Sequence, residues 1–186
     1  MLAVLGPRLS AILAITLLAI TLLLGLPAAC APIGADLGHD PCLLQQYQAH
    51  ASSIIAHIQG YLGTLSNRVD ALAPQQGTIN ASQDIAETLT VLSEFQSNLG
   101  AQWNALHAGA QPPEGLSFRQ AAYEAIQGLD TGAQMLTQAY IDAGNGDTRA
   151  AHTIVTAARY WMHRGRLRLG DAVQDIAALP TNNPNC

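Results

Sequence analysis

Four long stretches of this chain carry apolar residues at alternating steps of three and four, and that spacing restricts what it can fold into. In the first, Leu44, Ala51, Ile58, Leu65 and Leu72 recur every seven residues, with Ile55, Leu62 and Val69 beside them and Tyr47, Ile54 and Tyr61 on the flanks. The second runs Ile85, Leu89, Leu92, Phe95, Leu99, Trp103, Leu106. The third runs Ala122, Ile126, Leu129, Ala133, Leu136, Tyr140, Ala143. The fourth runs Ala151, Val155, Ala158, Met162, Gly165, Leu169, Ala172, Ile176, Leu179. Such spacing places one greasy stripe along one side of an α-helix. No apolar-polar alternation of period two occurs, so no strand is expected.

The breaks between the stripes support the same reading. Asp40-Pro41 reads as an N-cap followed by a first helical position, and the first helix is expected to run to about Leu72. Pro74 to Thr78 reads as a turn. Asn80 with Gln83 resembles a capping box for the second helix, and Ser117 with Gln120 one for the third. Gly109 to Gly115 contains Pro112 and Pro113 and ends the second helix. Gly144-Asn145-Gly146 should end the third in a left-handed cap. Asp147 should cap the fourth, and Pro180 should stop it. No single helix can bury its stripe alone. Short connections make neighbours antiparallel, so the expected fold is all-α, an up-down-up-down four-helix bundle over 41–186.

The first thirty residues differ in kind. Arg8 precedes a run from Leu9 to Leu26 that is broken only by Ser10, Thr16, Thr21 and Gly25. A basic start, an apolar middle and small residues before a break describe a secretory leader. Arg8 should stay on the cytoplasmic side and send the rest out. The segment Leu26-Pro27-Ala28-Ala29-Cys30 resembles the lipobox of bacterial lipoproteins, through Ala28, Ala29 and Cys30, with Pro27 where that pattern prefers Leu. The resemblance implies cleavage before Cys30 and lipidation of Cys30. It covers the leader alone. Ala29-Cys30-Ala31 also fits an ordinary signal-peptidase site, which would give a free secreted protein. The run is also close to the roughly 20 residues that span a bilayer, so an uncleaved anchor is a third outcome. The expected organisation is a signal peptide or anchor over 1–29, a flexible tether over 30–40 with Pro32, Gly34 and Gly38, and the bundle. The expected location is the extracytoplasmic face of the cell membrane, lipid-anchored, with secretion as the alternative.

The helical topology constrains the cysteines. Four antiparallel helices return the C-terminal tail to the end of the bundle where the first helix starts. Cys42 lies in the first turn of that helix and Cys186 lies on the tail, in what should be an oxidising compartment. A Cys42–Cys186 disulfide is therefore expected, leaving Cys30 as the odd cysteine.

Charge narrows the functional classes. The net charge is −5, and loss of Arg8 with the leader leaves 13 acidic against 7 basic side chains. A nucleic-acid partner is disfavoured by that sign. Every basic side chain is Arg, so Schiff-base chemistry and the usual P-loop, which need a Lys amine, are excluded. No catalytic signature converges, and Asp84 and Glu87 read as complements to a helix dipole. No cofactor is expected.

Five of the seven remaining arginines fall within 149–168: Arg149, Arg159, Arg164, Arg166 and Arg168. Arg159, His163 and Arg166 share one face, while Arg164 and Arg168 lie on the next, running on to Asp171 and Asp175. With Trp161 they form a candidate surface, centred on Arg159, His163, Arg166 and Arg168, for a protein or an anionic envelope component. Internal balance is the alternative, with Asp130 near the height of Arg166. The aromatics mostly read as core, although Tyr160 and Trp161 are adjacent and cannot both point inward. Small residues at stripe positions, such as Ala122, Ala133, Ala158, Gly165 and Ala172, read as sites of close helix approach. A metal or haem site between His57 and His163 on facing helices is a weaker alternative, because no Glu-x-x-His or Cys-x-x-Cys-His accompanies them. The expected function is thus binding by a membrane-tethered bundle, with no enzymatic role.

Overall fold

The computed structural model describes residues 41–72, 79, 85–109 and 111–180. They form four helices: α1 Pro41–Arg68, α2 Ile85–His107, α3 Leu116–Gly144 and α4 Thr148–Ala177. Short 3-10 turns at Asp70–Leu72 and Pro113–Gly115 follow α1 and precede α3. There is no strand among the described residues. Nor is any helix among them long and apolar enough to cross a membrane. The leader, the tether, Cys30, the expected caps Asp40 and Asn80, and Cys186 lie outside the described residues.

The helix ends follow local chemistry, with two departures from expectation. α1 stops at Arg68, short of Leu72, because Val69 N–H still donates to Leu65 O but Leu72 N–H donates to Val69 O, tightening the chain into a 3-10 turn. The Ser117–Gln120 capping box does not form. The residue before α3 is Gly115, which gives no side-chain cap, and Gln120 instead donates to Glu124 Oε1 at 2.8 Å. The α3–α4 corner is as expected. Gly146 has φ +85°, Asp147 N–H donates to Asp142 O at 2.9 Å, and Gly146 N–H donates to Ala143 O at 3.0 Å, the bond pattern of a Schellman motif. Asp147 then caps α4, its Oδ1 accepting from Ala150 N–H at 3.0 Å.

Contacts run in opposite senses along each neighbouring pair. Between α1 and α2, Arg68 pairs with Glu87 and His50 donates to Ala105 O. Between α2 and α3, Gln96 meets Asp130 and His107 meets Tyr123. Between α1 and α4, Gln48 meets Ile176 and Ser66 meets Arg166. Each of these pairs is therefore antiparallel. One core runs through all four helices, and every predicted stripe residue of α4 is buried. Nearly all predicted stripe residues of α1 and α3 are buried too. Side-chain N and O atoms buried among the described residues all have hydrogen-bond partners.

The α3–α4 pair is packed more closely than any other. A Cβ on Gly128 would stand 3.1 Å from Gly165 Cα, and one on Gly165 would stand 2.9 Å from the backbone N of Leu129. A Cβ on Gly132 would meet Met162 Sδ at 2.7 Å. Small residues at the crossing let the two backbones touch, as the Ala and Gly stripe positions predicted. Gly128 and Gly132 extend that contact beyond the residues singled out in the sequence.

Cys42 lies in the first turn of α1, and its expected partner Cys186 lies outside the described residues.

Candidate functional site

The arginine cluster of α4 does not form one continuous surface. Arg166 donates to Ser66 Oγ on α1. Arg168 turns the other way, to Glu124 Oε2 on α3 at 2.8 Å and to Asp171 Oδ2 at 3.0 Å. Arg164 lies over the Trp161 ring, 5.4 Å from its centroid. Arg159 is half-buried and His163 is exposed. Asp130 does not approach Arg166. It faces α2 instead, accepting from Gln96 Nε2 at 3.4 Å and from Gln134 Nε2 at 2.7 Å. The helical turn of about 100° per residue explains the dispersal: residues 166 and 168 are some 200° apart on α4 and flank opposite seams. Exposed ion pairs of this kind contribute about 0–1 kcal/mol each. Of the adjacent aromatics, Tyr160 is the exposed one and Trp161 is half-buried.

The histidines singled out earlier sit on the outside of the bundle. His57 is exposed and stacks on Tyr61, with ring centroids 6.4 Å apart, and His163 is exposed on α4. Among the described residues no three His, Cys, Asp or Glu side chains lie together in a way that could hold a metal ion.

Trp103 lies on the apolar row of the second stripe, which predicts a core position, yet it is 40% exposed. Steps of four and three from Leu99 to Leu106 allow either residue 103 or residue 102 on the buried row. Hydrophobicity favoured Trp103, but Gln102 occupies the inward position at 8% exposure. Trp103 is rotated by about 100° onto the flank that faces α3.

There the indole packs against Tyr123, centroid to centroid 4.6 Å, and against His107 at 5.3 Å. His107 Nδ1 is 2.8 Å from Trp103 O, and a carbonyl can only accept, so Nδ1 carries the proton. In the neutral ring Nε2 is then free to accept from the Tyr123 hydroxyl at 2.8 Å. Burial pushes the Tyr123 phenol above its ordinary ionisation range, against the opposing charge of Arg119. Tyr47 is raised for the same reason, also against Arg119. Both phenols are therefore O–H donors at neutral pH, and Tyr47 uses its proton on Gly115 O at 3.3 Å.

Beside this aromatic group an open groove of about 420 Å³ runs between α2 and α3. Gln96, Leu99, Gly100 and Trp103 line it from α2, and Ile126, Gln127 and Asp130 from α3. Leu99 and Ile126 are buried and form its apolar floor. Gly100 leaves it open, since a Cβ there would meet nothing within 4 Å. Antiparallel packing puts Gln96 opposite Asp130 at one end and Trp103 opposite Tyr123 at the other. Seven residues of α2 separate those ends, about 10 Å along the helix. Among the described residues no cation pairs with Asp130. The groove's size lies within the roughly 300–1,000 Å³ of small-ligand sites, and its few polar groups on an apolar floor match their usual chemistry.

Fold and groove together define an all-α bundle with an open, aromatic-walled cleft between two of its helices. Compared with known proteins, the chain matches no family model, no curated protein and no solved structure.

Proposed function

We infer that this chain is a non-enzymatic binding protein held on the outer side of a membrane, and that it engages an envelope component. Export rests on the leader and its lipobox-like end, with Cys30 as the lipidated residue. The bundle is read as up-down-up-down, stapled at one pole by a Cys42–Cys186 disulfide. The observation that carries the binding role is the position of Trp103. A large aromatic side chain stands at the lip of a groove in a bundle that buries its other stripe aromatics, Phe95 and Tyr140. Exposed aromatics are frequent anchors of recognition.

The test is binding of the mature, tagged chain to envelope material isolated from its own cells, compared with two variants. Wild type is expected to sediment with that material, and Trp103→Ala to lose most of the binding with helicity unchanged. Binding that survives Trp103→Ala but disappears in the triple variant Arg159→Gln, Arg166→Gln, Arg168→Gln would transfer the contact to α4. No binding by wild type would overturn the reading.

A further inference from the structure

The geometry points to a neutral saccharide as the ligand of the α2–α3 groove, an inference that rests on the binding role given above. A pyranose ring presents an apolar C–H face and a rim of hydroxyls that both donate and accept. The groove offers the matching pair of surfaces. Trp103 supplies a flat aromatic wall, held from behind by Tyr123 and His107 through the 4.6 Å and 5.3 Å ring contacts. Along the same groove stand two amides, Gln96 and Gln127, and the carboxylate of Asp130. Amides donate and accept at once, and a carboxylate accepts from two hydroxyls together. The Gln96 and Gln134 amides hold Asp130 in place by its two oxygens. A hydroxyl-rich ligand can therefore add to an existing network without leaving a buried group unpaired.

Charge selects within the class. Asp130 carries the groove's formal charge and meets no cation among the described residues, so an acidic sugar would be repelled. An organic cation is the competing chemistry, since Trp and Asp both attract one. It fits less well, because the carboxylate and the indole stand about two helical turns apart and cannot both contact one ammonium. The same separation suits two or three linked sugar rings, stacked at Trp103 and hydrogen-bonded at Asp130.

The test uses the mature chain carrying Trp161→Phe, so that Trp103 is its one tryptophan and reports on the groove. Cellobiose, maltotriose and N,N′,N″-triacetylchitotriose are titrated in turn, with tetramethylammonium as the cation probe. At least one sugar is expected to give a saturable change in Trp103 emission, with a Kd on the order of 1 mM or tighter. Gly100→Leu fills the groove without removing any recognising group, and should raise that Kd at least tenfold while helicity is kept. Asp130→Asn should weaken the same sugar severalfold. Saturation by tetramethylammonium alone, or sugar binding indifferent to Gly100→Leu, overturns the assignment. So does the absence of any response while the chain still binds envelope material, and that result leaves the broader binding role standing.

Discussion

Gln48, in the second turn of α1, donates from Nε2 to the carbonyl O of Ile176 in the last turn of α4, 3.1 Å away. Residues 128 apart in sequence are thus joined at one pole of the bundle, less than two turns from Cys42. Peptide mapping without reduction should recover Cys42 linked to Cys186. Reduction should then lower the unfolding midpoint, with about 4–5 kcal/mol as the upper figure for a loop this long. Recovery of Cys42 linked to Cys30 would overturn the pairing and remove Cys30 as a lipid site.

Two glycines on α4 should respond in opposite directions to the same change. Gly165→Ala drives a methyl against the backbone of Leu129, which cannot move without shifting α3. A loss of about 1–3 kcal/mol is expected, exceeding the gain in helix propensity. At Gly170 a Cβ meets nothing within 4 Å, so Gly170→Ala should stabilise by about 0.5–1 kcal/mol. Urea midpoints at unchanged slope would measure both. Equal effects from the two substitutions would argue against backbone contact at the crossing.

Asp147 satisfies an otherwise orphaned N–H at the start of α4. Asp147→Ala should cost about 0.5–2 kcal/mol, and Asp147→Asn, which keeps the accepting oxygen, should cost little. Thermal denaturation of the two variants distinguishes a cap from a general charge effect.

Burial raises the ionisation of Tyr47 and Tyr123 above the ordinary value of 10.0. A raised folded-state value means the fold favours the neutral phenol. Its contribution to stability is fully present below about pH 10 and is lost as pH climbs through the folded-state value. Tyrosinate absorbance should therefore include a late fraction that shrinks in Tyr47→Phe and Tyr123→Phe. Helicity should hold to about pH 10 and decline beyond it. Loss of helicity well below that pH would place its cause elsewhere.

The stripes of α1, α3 and α4 were legible because their apolar residues leave one choice of face. α2 was ambiguous at the decisive point: Leu99, Gln102, Leu106 and Leu99, Trp103, Leu106 have equally good spacing, and a polar residue wins the inward place. That one-residue choice concealed the groove, which also depends on which helix neighbours which. Gly100 and the Gln96–Asp130 pair acquire meaning only when α2 and α3 are set side by side. The arginines misled for a related reason. Clustering along the chain does not imply clustering in space when the helix turns successive residues toward different neighbours.

The glycine crossing has a mechanical consequence for the cleft beside it. α3 and α4 touch backbone to backbone and are joined by the three residues Asn145, Gly146 and Asp147, so they should respond to load as one stiff hairpin. α2 meets α3 through longer side chains, with Gly100 contributing none. If the cleft widens or narrows around a guest, the displacement falls to α2, while the opposite wall, built on the hairpin, keeps its place.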